Sequence, residues 1–154
     1  MIRPVTTLAR RYDTAAALLL FLVSVFRFWY SAVHELVQDE TYYWQWSRHL
    51  AWGYYDNTPL IAPVIRFFTT LFGDTQLGVR AGAIVCSIVA STFIYLIARR
   101  LCGPRVALAA LVIAQVMPLF AFGSMLMTQD PVQLAFWGAT LYVVLLALDG
   151  PGWL

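Results

Sequence analysis

The sequence has no lysine and few charged residues of either sign. Charged residues make up 12% of its 154 positions, whereas hydrophobic residues make up 61%. A water-soluble domain carries roughly 25% charged residues, so this composition excludes an ordinary soluble fold and predicts that lipid surrounds much of the chain. The net charge of +2 is too small to indicate a nucleic-acid partner. Without lysine, lysine-based chemistry is excluded as well.

Cysteine is also scarce. The two cysteines, Cys86 and Cys102, lie about 16 residues apart along an apolar segment, which corresponds to about 24 Å of helix. A disulfide cannot bridge that distance. No Cys-x-x-Cys motif and no metal-spaced cluster of cysteine and histidine is present, so neither residue is a candidate for chemistry.

Long apolar runs dominate the rest of the chain. They predict a single all-α integral membrane domain with about four transmembrane helices, over residues 14–33, 77–98, 106–125 and 132–148. The first run follows three arginines and has a signal peptide as its alternative. It is long for the apolar core of such a peptide and no small-x-small cleavage site follows, which favours a retained span.

The connection over residues 34–76 is long, acidic and aromatic. It carries five acids, and seven aromatic residues lie between Tyr42 and Tyr55. Two short helices are predicted within it, over residues 40–52 and 60–72, lying in the headgroup layer. Arginines cluster before the first span and between the second and third, which predicts a multi-pass protein of the cytoplasmic membrane with both termini cytoplasmic and this connection outside.

Two acidic positions are candidates for catalysis. Asp39 and Glu40 follow the first span directly, and adjacent carboxylates at a membrane surface suit a general base or a divalent cation site. The alternative is that Asp39 caps the next helix. Asp130 precedes Pro131, a typical helix start, so capping is its simplest interpretation. The topology nevertheless places Asp130 on the same outer face as Asp39.

Several other residues of the outer face are candidates for substrate binding. Aromatic rings stack against sugars, but they also form interfacial belts. Arginines near the headgroup level bind a lipid phosphate, either of a substrate or of ordinary lipid. A turn before Pro59 either joins two helices or contacts substrate. The candidates for substrate binding are Tyr42, Tyr43, Tyr55, Asn57, Arg66 and Arg80.

Three blocks of the sequence resemble the first outer loop of GT-C glycosyltransferases. They are Asp-Glu-Thr-Tyr-Tyr-Trp-Gln-Trp-Ser-Arg-His-Leu from residue 39, Gly-Tyr-Tyr-Asp-Asn-Thr-Pro-Leu-Ile-Ala from residue 53, and Leu-Gly-Val-Arg from residue 77. The similarity is to the bacterial branch related to protein O-mannosyltransferases and the lipid A aminoarabinose transferase. Members of that branch usually carry Lys or His before the proline of the turn, whereas Asn57 and Thr58 stand here.

The resemblance implies an inverting transferase that uses a polyprenyl-phosphate-linked sugar on the outer face of the membrane. Asp39 falls on the family's catalytic acid with Glu40 beside it, and Asp130 falls on the second acidic position. In some members a divalent metal, Mg²⁺ or Mn²⁺, takes part, which makes Asp39 and Asp130 candidate ligands. Because family members are several hundred residues long, we expect this chain to correspond to their N-terminal part. The sugar and the acceptor are not specified.

Two other classes of function stay open at this stage. In a small non-catalytic membrane protein, such as a lipid-binding or assembly subunit, the acids would serve as caps, and small residues of the second span would allow close helix packing. A transporter or channel fragment is a weaker alternative, because spans two to four carry no charge in mid-membrane.

Overall fold

The computed structural model describes residues 7–55 and 58–148, and these two stretches are built from helices joined by short connections. The all-α membrane class predicted from the sequence is confirmed. In chain order the helices are α1 (Thr7–Val33), α2 (Gln38–Arg48), α3 (Ile61–Phe72), α4 (Gln76–Cys102), α5 (Pro104–Val116), α6 (Pro118–Gly123) and α7 (Gln129–Leu148).

Three of these helices are long and apolar enough to cross a membrane, namely α1, α4 and α7. Residues 106–125, predicted as one span carrying Pro118, do not form one continuous helix. The chain leaves helical geometry at Met117, which has an extended backbone, so that α5 and α6 are separate. Proline explains the break, because Pro118 lacks an N–H and disfavours helical geometry in the residue before it.

Helix α4 lies at the centre of the bundle, in contact with α1, α3, α5 and α7. Small residues on its first half let α3 approach closely. A Cβ atom added at Gly82 would lie 2.6 Å from Cγ1 of Val64 in α3, and Ala81 and Ala83 on either side are fully buried. Close packing of this kind is the main source of attraction between helices in lipid, where apolar burial gives little.

The two ends of the bundle are tied differently. At one end, Asp13 of α1 accepts a hydrogen bond of 2.6 Å from the Tyr95 hydroxyl and pairs with Arg99 at 2.8 Å, both on α4. The opposite end carries residues 34–55 and 58–75, including α2 and α3, and also the connection between α6 and α7; we call it the loop end. The two short helices predicted for the long connection are present here as α2 and α3.

Gly82→Val tests the close approach of α3 to α4. We expect a loss of about 1–3 kcal/mol of stability, because the added methyl groups overlap Val64 and force the two helices apart. The measurement is thermal unfolding of the purified chain in detergent, monitored as the fraction of protein that has not aggregated at each temperature. Gly123→Ala is the matched control, since nothing lies within 4 Å of its added Cβ. Equal stability of the two variants would contradict the packing argument.

Candidate functional site

A buried ion pair between Glu40 of α2 and Arg80 of α4 forms the centre of the loop end. Arg80 Nε lies 2.8 Å from Glu40 Oε1, and Arg80 Nη2 lies 2.6 Å from Glu40 Oε2. The two side chains are 0% and 2% exposed, for Glu40 and Arg80 respectively. A parallel, bidentate geometry of this kind is the strongest form of carboxylate–guanidinium contact.

Backbone groups from three further segments complete this pair. Arg80 donates hydrogen bonds of 2.9 and 2.8 Å to the carbonyl oxygens of His34 and Glu35, just after α1. Glu40 accepts from the N–H of Val37 at 3.0 Å and from the N–H of Met127, before α7, at 2.8 Å. The pair therefore joins the end of α1, the start of α2, α4 and the connection to α7.

This network changes the interpretation of Asp39. The N-cap of α2 is Val37, whose side chain cannot accept a hydrogen bond, and the Glu40 carboxylate reaches back to accept from the Val37 N–H at 3.0 Å. The alternative that Asp39 caps this helix is therefore wrong. Asp39 lies exposed in the first turn, outside the hydrogen bonds around Glu40. The Asp39 carboxylate is exposed to solvent and takes no part in the hydrogen bonds that hold α2 in place.

Asp130 has a similar position on α7. That helix begins at Gln129, so Asp130 lies in its first turn instead of before it. The side chain is exposed and accepts a long hydrogen bond of 3.4 Å from the Thr128 hydroxyl. Because Met127 bonds to Glu40, the start of α7 and the start of α2 are joined at the loop end. The structure thus places both acidic positions at the same end of the bundle.

The predicted aromatic candidates fall into two groups. Tyr42 and Tyr43 pack around Trp46, with ring centroids 4.7 and 5.2 Å from it, and Trp46 stacks on Tyr54 at 4.3 Å. Tyr43 is half-buried and contacts the core, whereas Tyr42 is exposed. Tyr55 is fully exposed. Asn57 lies outside the described residues.

The predicted arginine candidates also differ from one another. Arg66 is exposed on α3 and donates a hydrogen bond of 3.2 Å to the carbonyl oxygen of Ser47. Arg80, in contrast, is buried and uses its donors on Glu40 and two carbonyl groups. Substrate contact by either residue stays a prediction; what the structure gives Arg80 is a role in holding the loop end together.

A divalent cation at Asp39 and Asp130 also stays a prediction. Within residues 7–55 and 58–148 no group of three or more His, Cys, Asp or Glu side chains is close enough to hold a metal ion. The Glu40 carboxylate is already saturated by N–H donors. The donor set therefore does not fit a metal held by the described side chains alone, and the chemistry below contains no step through one.

Sequence reasoning missed two features of this region. It treated Arg80 as a phosphate ligand and Glu40 as a second catalytic acid, and did not pair them across 40 positions. Opposite charges beside two apolar runs were the available signal, because a lone charge is rarely buried in a membrane. It also missed that Arg48 pairs with Asp74 at 2.9 Å on the surface, where Asp74 further accepts from Trp44 Nε1 at 3.3 Å.

Breaking the buried pair tests its role. Glu40→Gln or Arg80→Gln should each cost about 3–5 kcal/mol, because each leaves one buried charge without its partner. The double variant Glu40→Gln/Arg80→Gln should cost less than the sum of the two. The measurement is a double-mutant cycle of thermal stability on the purified chain in detergent.

The surface pair of Arg48 and Asp74 provides the matched control. Its side chains are 49% and 45% exposed, so Arg48→Gln and Asp74→Asn should each cost about 1 kcal/mol or less. Additive losses in the buried pair, or equal losses in the two pairs, would show that Glu40 and Arg80 do not hold the loop end together.

Comparisons with known proteins agree with this picture. A family model described as "Dolichyl-phosphate-mannose-protein mannosyltransferase" matches residues 56–154, more than half of the chain. A lipid A galacturonosyltransferase, RgtD of Rhizobium johnstonii, is 36% identical over 69 residues, which cover 44% of this chain and 15% of that protein. The match thus spans a small part of that relative's length. No solved structure matches significantly.

These findings confirm the resemblance to GT-C glycosyltransferases that the sequence blocks predicted. The family model begins at residue 56, so it does not include α2, where Asp39 and Glu40 lie. It does include α4 with Arg80 and the start of α7 with Asp130. The match therefore includes Arg80 but not Glu40, which is connected to the matched region by the buried ion pair.

Proposed function

Because this chain belongs to the dolichyl-phosphate-mannose-protein mannosyltransferase family of GT-C type, we propose that it acts as a membrane glycosyltransferase. It transfers a sugar from a polyprenyl-phosphate donor to an acceptor at the loop end, on the outer face of a bacterial cytoplasmic membrane. The observation that carries the proposal is the position of Asp39. This acid is exposed beside a buried ion pair that fixes the helix on which it lies.

In the proposed reaction Asp39 is the general base. Its carboxylate takes the proton from a hydroxyl or amine of the acceptor, and the acceptor atom attacks the anomeric carbon of the sugar. The bond between that carbon and the phosphate oxygen breaks, and polyprenyl phosphate leaves with the bonding electrons. The configuration at the anomeric carbon is inverted. General-base assistance of this kind is worth about 10²–10⁴-fold in rate.

The buried pair contributes by positioning. Glu40 follows Asp39 on the first turn of α2, and its carboxylate is held by Arg80 and by the backbone of Val37 and Met127. A base that is displaced by about 1 Å loses much of its effect. We therefore assign Glu40 and Arg80 as positioning residues, with Asp39 as the residue that meets the acceptor and Asp130 as a second acid of the same site.

The substrate contacts are proposed from exposure. Arg66 is the exposed cation of α3, and we propose it as the contact for the donor phosphate or the phosphate that leaves. Tyr42 and Tyr55 present exposed rings that suit contact with a sugar face. Helix α3 is apolar along one side and exposes Phe67 and Leu71, which suits a position at the lipid boundary, where a polyprenyl chain would arrive.

The test is a glycosyl-transfer assay on membranes that express this chain, with labelled polyprenyl-phosphate sugars. Asp39→Asn should lower transfer at least 100-fold, because the neutral amide cannot accept the proton. The level of protein in the membrane should not change, since Asp39 lies outside the network that holds α2. Asp39→Glu should recover part of the activity, as it restores a carboxylate.

Glu35→Gln is the matched control. Glu35 is an exposed acid of the same segment whose contact with Arg80 uses its backbone carbonyl only, so its side-chain change should leave transfer unaltered. Equal transfer by wild type and Asp39→Asn would overturn the assignment of the base. Absence of transfer by the wild-type chain would favour the non-catalytic membrane protein.

A further inference from the structure

The turn that follows α2 presents apolar side chains to its surroundings. Trp52 is fully exposed, and Leu50 is 55% exposed. Residues 49–54 include no Asp, Glu, Lys or Arg; we call them the Trp52 turn. A fully exposed indole beside a second exposed apolar side chain indicates a partner, because water is a poor environment for both.

Tyr54 holds this turn against α2. Its hydroxyl lies 3.1 Å from the carbonyl oxygens of Trp46 and His49, and it accepts a hydrogen bond of 3.2 Å from the N–H of Ala51. Its ring stacks on that of Trp46 with the centroids 4.3 Å apart. The exposure of Trp52 is therefore a consequence of how the backbone of the turn is fixed.

Helix α3 adds a second apolar surface beside the turn. One side of the helix is buried, whereas Phe67, Leu71 and Phe72 are exposed on it. Arg66 of α3 donates a hydrogen bond of 3.2 Å to the carbonyl oxygen of Ser47, which joins α3 to the end of α2. The helix has 12 residues, or about 18 Å, and is too short to cross a bilayer.

The level of α3 along the bundle is set by its contact with α4. The Phe68 ring would lie 3.2 Å from a Cβ added at Gly82, and the Cα of Thr69 3.5 Å from one added at Gly78. Gly82 and Gly78 precede Arg99, at the other end of α4, by about 17 and 21 positions, or about 26 and 32 Å of helix. Since a hydrocarbon core is about 30 Å thick and arginines mark its edges, Arg99 and α3 lie at opposite edges.

Helix α2 lies at the same level as α3. Glu40, near its start, pairs with Arg80 of α4, and Arg48, at its end, pairs with Asp74 just before α4. Both ends of α2 are therefore attached to the start of α4, so α2 lies across the end of the bundle. The Trp52 turn leaves α2 directly after Arg48 and thus begins at the membrane boundary.

We propose that the Trp52 turn and the exposed side of α3 form a lipid-contact surface in the interfacial layer of the bilayer, with Trp52 as its anchor. Indole rings concentrate in this layer, because the ring is apolar and its N–H bonds to headgroups or water. Phe67 and Leu71 then face the outer part of the acyl chains. A bilayer is favoured over a protein partner because this surface lies level with the edge of the spanning helix α4.

This lipid-contact surface goes beyond the proposed transfer reaction and does not depend on it. Its partner is the bilayer itself, and the Asp39 carboxylate takes no part in the contact. The test measures the depth of a side chain and not transfer, so either proposal can fail while the other stands.

The experiment is tryptophan fluorescence quenching of the whole chain in vesicles of dioleoyl phosphatidylcholine. The quenchers are doxyl-labelled phosphatidylcholines, with the label either near the headgroup or in the middle of the acyl chain, and acrylamide in the water. The signal of Trp52 is the difference between wild type and Trp52→Phe. We expect the label near the headgroup to quench it at least about twofold more than the mid-chain label, as for an interfacial indole, and acrylamide to quench it weakly.

Trp137 provides the matched control for depth. It is an exposed tryptophan of the spanning helix α7, about 12 Å along that helix from its start. The difference between wild type and Trp137→Phe should show the reverse order, with stronger quenching by the mid-chain label.

Tyr54→Phe tests the hold on the turn without altering Trp52. It removes the hydroxyl and keeps the ring that stacks on Trp46. Without its hydrogen bonds the turn is less fixed, so the two lipid labels should quench Trp52 more equally and acrylamide should quench it more strongly. The Trp52 signal is again obtained by difference, from Tyr54→Phe and the double variant Tyr54→Phe/Trp52→Phe.

Three results would overturn the proposal. Strong quenching of Trp52 by acrylamide and none by either lipid label would place the turn in water. Stronger quenching by the mid-chain label, in the same order as Trp137, would place it deep in the bilayer. Protection from all three quenchers would show that protein covers it, as expected for a contact between two copies of the chain.

Discussion

The carboxylate of Glu40 and the guanidinium of Arg80 face each other at a point that water does not reach. Such a pair gains little over an apolar contact in net stability, but removing one partner leaves a charge that nothing else can neutralise. The positions of α2 and α4 relative to each other are therefore tightly constrained. Because its remaining hydrogen bonds involve the backbone of His34, Glu35, Val37 and Met127, the pair fixes the end of α1, the start of α2 and the connection before α7 against α4.

Helix α4 extends that constraint through the bundle. Its buried polar side chains, Arg80, Ser87, Ser91 and Tyr95, recur at spacings of seven and four, so they share one face of the helix. Each meets a different partner: Glu40 of α2, Arg27 of α1, Gln115 of α5 and Asp13 of α1. Hydrogen bonds between helices fix rotation and register in lipid, where apolar contacts alone do not distinguish one face from another. The same face thus joins α4 to α1, α2 and α5 along the length of the bundle.

Much of this fold could be predicted from the sequence, and the exceptions have local causes. Apolar runs placed α1, α4 and α7, because a bilayer sets a minimum length that composition reveals. The run over residues 106–125 is equally apolar, but its helix is interrupted before Pro118, because proline cannot donate the backbone hydrogen bond that would continue it. The acidic segment after α1 was identified as the candidate site, yet the roles of its two acids differ: Glu40 closes the helix start, and Asp39 is left exposed.

Composition, hydropathy and the three loop blocks by themselves determined that the chain is an all-α membrane protein of GT-C type, since each of these signals is local in sequence. Which charges are buried was decided by tertiary structure. Glu40 and Arg80 stand 40 positions apart, and Arg27 and Ser87 stand 60 apart. No periodicity links such residues, because their distance depends on how the helices pack. Whether an arginine is buried in an ion pair or lies on the surface depends on its neighbours from other helices, which local sequence does not specify.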